Sequence, residues 1–387
     1  TGDLPLLCVG GVPLLSLSAL HQKQGKSQLV KMGLMSAVTV IVSIFALGQG
    51  SSSNLDMWTT TQTILRDIRA FVGLPDTLRA CGYFDGVAWN AGQTCSSAED
   101  LQSQIIWRLR LPRVLMAILG GVALATAGAL MQGCLGNPLV SPLTLGVASG
   151  ASLGAALAII VGFSLTTVGS LAIAGNAFVF SLIVVFIIIQ LGRYRSVSAE
   201  SYILVGIAIT FIAGAIVSTL TYFATDAQLS QLAHWSFGSL ARPNMVVVAL
   251  VATSTFTLFP TAMKWSWDLN ALSMGGDDFA VSTGVDPSSI RRNILILSAL
   301  LTSLIIAFTG MIGFVGLAAP HMSRILIGND YRKLLPASAI CGAFLMLVAD
   351  TIGRTLFAPV VIPVGIMLAV IGGPVFMYLL LQSKGVR

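Results

Sequence analysis

What this sequence has least of is charge. Only 9% of its 387 residues are Asp, Glu, Lys or Arg, against about 25% in a soluble globular domain. So few charges cannot cover a water-facing surface of this size, and most of the exterior must therefore face lipid. Histidine is scarce as well. His21, His234 and His321 stand far apart with no HxxxH or HxxE spacing, which argues against a catalytic metal site built on clustered imidazoles. The five cysteines are too scattered for a zinc site or a disulfide scaffold. Cys8, Cys134 and Cys341 sit in apolar surroundings, where a small buried thiol is the ordinary reading. Nor do basic residues form runs. The net charge of +6 is made of singles and pairs between apolar stretches, which suits membrane loops and not nucleic-acid binding.

A phosphate-binding loop is missing too. Gly25-Lys26-Ser27 repeats the end of G-x-x-x-x-G-K-[ST], but Leu20 stands where the first glycine must be. The chain is therefore expected not to bind ATP by itself.

Long apolar runs are what the sequence does have. About 20 helical residues cross a bilayer core of about 30 Å, and such runs lie near 29–48, 114–133, 143–162, 168–191, 200–222, 244–263, 293–310, 312–327, 337–356 and 363–382. They predict an all-α, polytopic membrane protein with about ten transmembrane helices. Several runs are short, glycine-rich or interrupted by proline. At membrane depth such backbone survives only where other protein or a water-filled cavity satisfies it, so the runs should form a bundle around a pathway. The division expected is an N-terminal cytoplasmic or interfacial segment, 1–28, and a transmembrane domain, 29–387. Within the latter fall a long outer loop, 49–105, and an inner loop, 264–292. Residues 4–20 span roughly 26 Å as a helix, short of a comfortable crossing. Pro5, Pro13 and the pair Gly10-Gly11 weaken them further, and no basic region precedes them as in a secretory signal.

Orientation follows from the cations. With residues before 29 inside, every lysine falls on the inner side, as the positive-inside rule requires. The outer side receives arginines, and Arg108, Arg110 and Arg113 crowd together in WRLRLPR. Cys81 and Cys95 share the outer loop, where thiols oxidise readily; a bridge between them would add about 3 kcal/mol in the chain-entropy picture.

Three patterns admit two readings each. Gly146, Gly150 and Gly154 form a small-xxx-small ladder, which most often means close helix packing and less often the lining of a path. Asp350 and Arg354 share one helix face at i, i+4. An ionisable residue inside a span is a functional candidate, yet the acid can simply neutralise its neighbour. It is the sole Asp or Glu in the last four runs, too little for a proton relay. In GFVGLAAPHMSR (313–324), Pro320 should end a short span, and His321 and Arg324 should mark its inner end.

Seven blocks in order carry a more specific signal: RLPRVLMAILGGVALATAGALMQ (110–132), NPLVSPLTLGVASGA (137–151), HWSFGSL (234–240), LSMGGDDFAVSTGV (272–285), GFVGLAAPHMSR (313–324), ADTIGR (349–354) and PVGIMLAVIGGPVF (363–376). Together they resemble the FecCD-type permease subunits of ABC importers for ferric siderophores, haem and cobalamin. The resemblance implies a bundle like that of a cobalamin-importer permease. It also implies that Arg110, Arg113 and Arg354 face outwards and take carboxylates on a periplasmic substrate-binding protein, a task suited to the planar arginine fork. Gly276, Asp277, Phe279, Ala280 and Gly284 correspond to the coupling helices that press on an ABC ATPase; Thr283 stands where leucine is expected. The helix at 200–222 and the last helix, with Pro363, Gly365 and Gly372, resemble those lining the path between two permease subunits; Gly146 and Gly150 belong to the same set of pathway or packing positions.

Implied as partners are ABC ATPase subunits carrying ATP and Mg, the periplasmic binding protein, a second permease subunit (identical or related) and the lipid bilayer, with no cofactor on this chain and no nucleic acid. The setting implied is the bacterial inner membrane. The expected activity is transport without catalysis: an iron chelate, a ferric siderophore first and haem or cobalamin as alternatives, moves from periplasm to cytoplasm by alternating access. The reading from another class is an ATP-independent secondary transporter. A membrane-embedded enzyme would need paired acids or clustered histidines, which are missing. The outer loop and residues 1–20 depart most from the family pattern.

Overall fold

The computed structural model describes residues 8–9, 12–50, 56–71, 83–84, 87–88, 97–166, 169–194 and 199–383. Cys81 and Cys95, and with them the expected bridge, lie outside these residues. Two-residue antiparallel pairs, Cys8–Val9 with Val12–Pro13 and Tyr83–Phe84 with Val87–Ala88, are the strands among them. All else that is regular is helix: α1 (Leu14–Gly48), α2 (Met57–Phe71), α3 (Ser97–Gln104), α4 (Leu111–Cys134), α5 (Val147–Ala156), α6 (Gly169–Tyr194) and α7 (Ala199–Tyr222). There follow α8 (Asp226–Ser236), α9 (Met245–Lys264), α10 (Ser266–Ser282), α11 (Pro287–Thr309), α12 (Val315–Ile327), α13 (Tyr331–Thr355) and α14 (Val364–Ser383).

Each of the ten apolar runs is a helix. Among the described residues seven helices are long and apolar enough to cross a membrane, while Val147–Val161, Val315–Ile327 and Val364–Tyr378 are shorter apolar helices.

Two boundaries differ from expectation. The segment placed at 1–28 is not separate from the first span, because α1 runs unbroken for 35 residues from Leu14, about 52 Å. After Pro13 the chain is rich in Leu, Gln, Lys and Ala, good helix formers, and the interior glycines Gly25 and Gly33 cost only about 1 kcal/mol each. The outer stretch 49–105 is also more than a loop. The buried residues Thr60, Thr63 and Asp67 share one face of α2, at the helical spacing of 3 and 4. Asp67 accepts hydrogen bonds from the Ser103 hydroxyl (2.6 Å) and the Trp107 indole (2.8 Å), which fasten α2 to α3 and to the π-helical turn Ile105–Arg110 that leads into α4.

Helix α4 is the axis of the bundle, buried along nearly its whole length against α13, α11, α12 and α9. Lipid supplies no hydrophobic drive for helices to associate, so close backbone approach through small residues must do so. Gly121 of α4 and Gly342 of α13 show the consequence: a Cβ on either would stand 2.3 Å from the other's carbonyl oxygen. The ladder resolves in the same direction. Gly150 and Gly154 of α5 lie against the carbonyls of Phe180 and Asn176 in α6, which a Cβ would meet at 2.7 and 2.4 Å. Gly146, at φ 84°, starts α5 beside the Gly206 carbonyl of α7.

Pro320 does not end its span; α12 continues through it to Ile327. A helical proline withholds an N–H from the carbonyl four residues back, here that of Gly316. This carbonyl is directed at Gly128 of α4, where a Cβ would sit 1.8 Å from its oxygen. A Cα–H···O contact of this kind gives the freed acceptor a partner, and the helix persists.

Candidate functional site

Two polar constructions stand at opposite ends of α13, one around Asp330 and Tyr331 and one around Asp350 and Arg354.

At the inner end stands α10. Its middle residue Gly276 has φ 70° and ψ −158°, a conformation open to glycine and very costly to other residues, so α10 is two half-helices at an angle. The first is fastened to α13: Asn270 donates to Asp330 Oδ1 (2.9 Å) and accepts from the Tyr331 N–H (2.8 Å). Arg332 lies 4.1 Å over the Trp267 ring, a cation–π contact. The second half is fastened to α11 and α4. Both oxygens of Asp277 accept from the Arg291 guanidinium, Nη1 to Oδ2 at 2.7 Å, while Arg291 Nε donates to the Cys134 carbonyl at 2.9 Å, near the end of α4. Ala280 is fully buried beneath this half. Gly284 (φ 85°) closes it: its N–H reaches the Val281 carbonyl and that of Val285 the Ala280 carbonyl, the paired bonds of a Schellman motif. Of the five expected coupling residues, Gly276 and Gly284 thus shape the segment, Asp277 and Ala280 anchor it, and Phe279 is 43% exposed.

Between α10 and the start of α13 opens a cleft of about 1150 Å³, lined by Trp267, Met274, Phe279, Arg324, Tyr331 and Arg332 among others. Met274 (79%), Trp267 (64%) and Val281 (62%) are exposed on this segment, an apolar display of the kind that marks a protein contact. Burial pushes the Asp268 carboxyl in its wall above the usual range.

Arg324 does more than mark the inner end. It donates to Gln132 Oε1 (2.5 Å) and to the Tyr331 hydroxyl (3.3 Å), stitching α12 to α4 and α13. His321 packs edge-on against Phe376 of α14, centroids 5.3 Å apart. Helix α1 joins this end through Gln28 Nε2 to the Ile327 carbonyl (2.6 Å) and Lys31 Nζ to the Leu326 carbonyl (3.0 Å), satisfying acceptors at the end of α12.

Arg110, Arg113 and Arg354 are 5%, 9% and 4% exposed and bond within the chain. A helix terminus leaves four carbonyls without partners; at the end of α1, Arg354 donates to those of Ala46 and Gln49, and Arg110 to those of Leu47 and Gly48, each at 3.0 Å. Asp350 lies between Arg113, 2.8 Å from Nη2, and Arg354, 3.0 Å from Nε. The acid balances two cations, not only its i+4 neighbour, and α1 is held by side-chain bonds at Gln28 and Lys31 and at its C-terminal carbonyls.

The expected pathway positions seat α14. The Pro363 carbonyl accepts from Ile366 and Met367 at its start (3.2 Å each). A Cβ on Gly365 would stand 2.4 Å from the Phe237 carbonyl oxygen, and one on Gly372 2.2 Å from the Phe314 ring. Phe314, at φ 71°, is held in a conformation that few non-glycine residues adopt. The outward faces of α7 and α14 carry Leu204, Phe211, Ile212, Val370, Met377 and Tyr378, all more than half exposed. Among the described residues no three His, Cys, Asp or Glu come together as metal ligands would.

Asn270, Arg291, Asp330, Tyr331 and Gln132, which hold the inner construction, went unnoticed in the sequence. A faint signal was present: Asp330 precedes an apolar run as a helix N-cap does.

Residues 76–382 match the FecCD transport family. The hemin transport system permease protein HmuU of Yersinia pestis is 41% identical over 77% of this chain and 88% of its own length. The vitamin B12 import system permease protein BtuC of Vibrio cholerae is 33% identical over 74% and 86%. Among solved structures, an inward-facing conformation of a metal-chelate type ABC transporter superposes with a TM-score of 0.72 at 28% identity, covering 91% of this chain and 98% of that one.

Proposed function

The chain belongs to the FecCD transport family, and from that premise we propose that it moves an iron chelate, foremost a ferric siderophore, from periplasm to cytoplasm across the bacterial inner membrane. As a multi-pass ABC permease it is the transport subunit; ATP and Mg act on a separate ATPase that docks on the inner face. One observation carries the reading: α10, the segment with Met274 and Trp267 exposed, is bonded directly to α13 and α11 and, through Arg291, linked to α4. A motor that moved α10 would thereby move α4, α11 and α13 together, which is what opening one end of a bundle while closing the other requires.

The path would lie between this chain and a second permease subunit, identical or related, along α7 and α14. Their apolar outward faces suit a large chelate that must pass without being held. Haem and cobalamin are the alternative cargoes, supported by similarity to HmuU and BtuC. A periplasmic binding protein would deliver the cargo over the outer arginines. Its carboxylates would reach Arg110, Arg113 and Arg354 by competing with Asp350 and the α1 carbonyls.

The test is reconstitution with the ATPase and binding protein in proteoliposomes. Uptake of a radiolabelled ferric siderophore should need ATP inside the ATPase-facing compartment and should fail with Met274→Asp. Equal uptake without the ATPase, or driven by an ion gradient alone, would overturn the proposal.

A further inference from the structure

A groove of about 440 Å³ runs between α6 and α11, lined by Leu182, Val185, Phe186, Ile189, Ile296 and Leu300, with Gln190 and Arg292 as its polar residues. Its floor is built: Val185 and Ile189 are buried, while Phe186 and Ile296 stand as exposed rims. The helices run antiparallel, so Gln190 and Arg292 share the inner mouth, near the end of α6 and the start of α11. From Arg292 to Leu300 the groove deepens by about 12 Å, within the roughly 15 Å of one leaflet of a 30 Å core.

A cation at the mouth of an apolar channel one leaflet deep is complementary to one ligand chemistry, a phosphate bearing an acyl chain. Arg292 is suited to it. A guanidinium carries five N–H donors in a planar fork that matches phosphate, more than the Ser289 hydroxyl at 3.2 Å takes. The acid its charge acts on, Asp286, is engaged in capping α11 through the Ser288 N–H and hydroxyl (3.0 and 2.8 Å). Gln190 adds an amide at the same level. The Pro287–Thr309 helix that carries Arg292 also carries Arg291, which holds Asp277 of the coupling segment. A ligand at Arg292 is thus one residue from the link between α10 and the spans.

We propose that this groove is a site for an anionic phospholipid of the inner leaflet, its phosphate on Arg292 and Gln190 and one acyl chain along α6 and α11. Basic pockets between membrane helices on the cytoplasmic side favour such headgroups, each cation near the surface adding about 1 kcal/mol, or roughly a fivefold preference.

The full chain would be placed in nanodiscs of equal phosphatidylglycerol and phosphatidylcholine, then released and read by native mass spectrometry. Retained phosphatidylglycerol should exceed phosphatidylcholine by roughly fivefold. Arg292→Gln should bring the ratio near one with lipid still retained. Ile296→Trp, which obstructs the rim, should reduce retention of both. Equal retention by the unaltered chain, or an Arg292→Gln protein that keeps its preference, overturns the proposal. So does a photo-crosslinker at Phe186 that joins a second protein chain instead of lipid.

Discussion

Asn270 and Asp330 are joined by a 2.9 Å hydrogen bond while Asn270 also accepts the Tyr331 N–H at 2.8 Å, so one amide locks the inner segment to the first turn of α13. Asn270→Ala removes both bonds and should cost about 1–3 kcal/mol locally. The bundle should persist, with a larger fraction of ATP hydrolysed without uptake; the ratio of ATP consumed to chelate imported reads this. An unchanged ratio would mean that α13 does not receive motion through this amide.

The same knot sets a pH limit. Burial tends to raise the Asp330 carboxyl, but hydrogen bonds from Arg332 and Asn270 outweigh it and hold the group below its ordinary value near 3.8. A carboxylate lowered on folding adds stability that is complete above its unfolded value and fades as pH falls through the folded one. Thermal melts from pH 7 to pH 5 should show no change from this group. Below pH 4 the loss should appear, and it should be missing in Asp330→Asn.

Gly276 supplies the bend of α10. Substitution by alanine places a Cβ on a backbone conformation that is essentially confined to glycine, about 1–3 kcal/mol of strain, although nothing lies within 4 Å to clash. The expected outcome is a straighter segment with weakened ATPase binding and little loss of thermal stability. Gly121→Ala is the counterpart without that freedom. Its Cβ would meet the Gly342 carbonyl at 2.3 Å, and overpacking of this sort costs about 1–3 kcal/mol or more. A melting temperature unaltered by Gly121→Ala would contradict the close crossing of α4 and α13.

Asp350 carries the balance of the outer end. Asp350→Asn leaves Arg113 and Arg354 facing each other in a buried setting, and loss of one partner from such a group costs about 3–5 kcal/mol. The variant should express poorly, whereas Asp350→Leu combined with Arg113→Met should recover much of the loss. Failure of that recovery would show that the acid does more than compensate charge.

Much of the fold was legible because the bilayer imposes a length on each helix and a sign on each loop. The ten runs needed nothing further, and the arginines were already conspicuous in WRLRLPR. What the arginines contact was not legible. Arg354 is over 300 residues from the Ala46 and Gln49 carbonyls it caps, and no local pattern announces such a pairing. Pro320 misled for a related reason: a proline breaks a helix only if the carbonyl it abandons finds no other partner, and that partner, Gly128, lies on another span.

The sequence by itself thus determined that this chain crosses a membrane many times and to which family it belongs, because hydropathy and motif blocks are properties of contiguous residues. The tertiary structure alone decided that Arg110 and Arg354 cap α1, that Arg113 shares Asp350 with Arg354, and that the inner segment is tied to α13 through Asn270 and to α11 and α4 through Asp277 and Arg291. These are contacts between groups distant in sequence, fixed by where glycines let backbones touch.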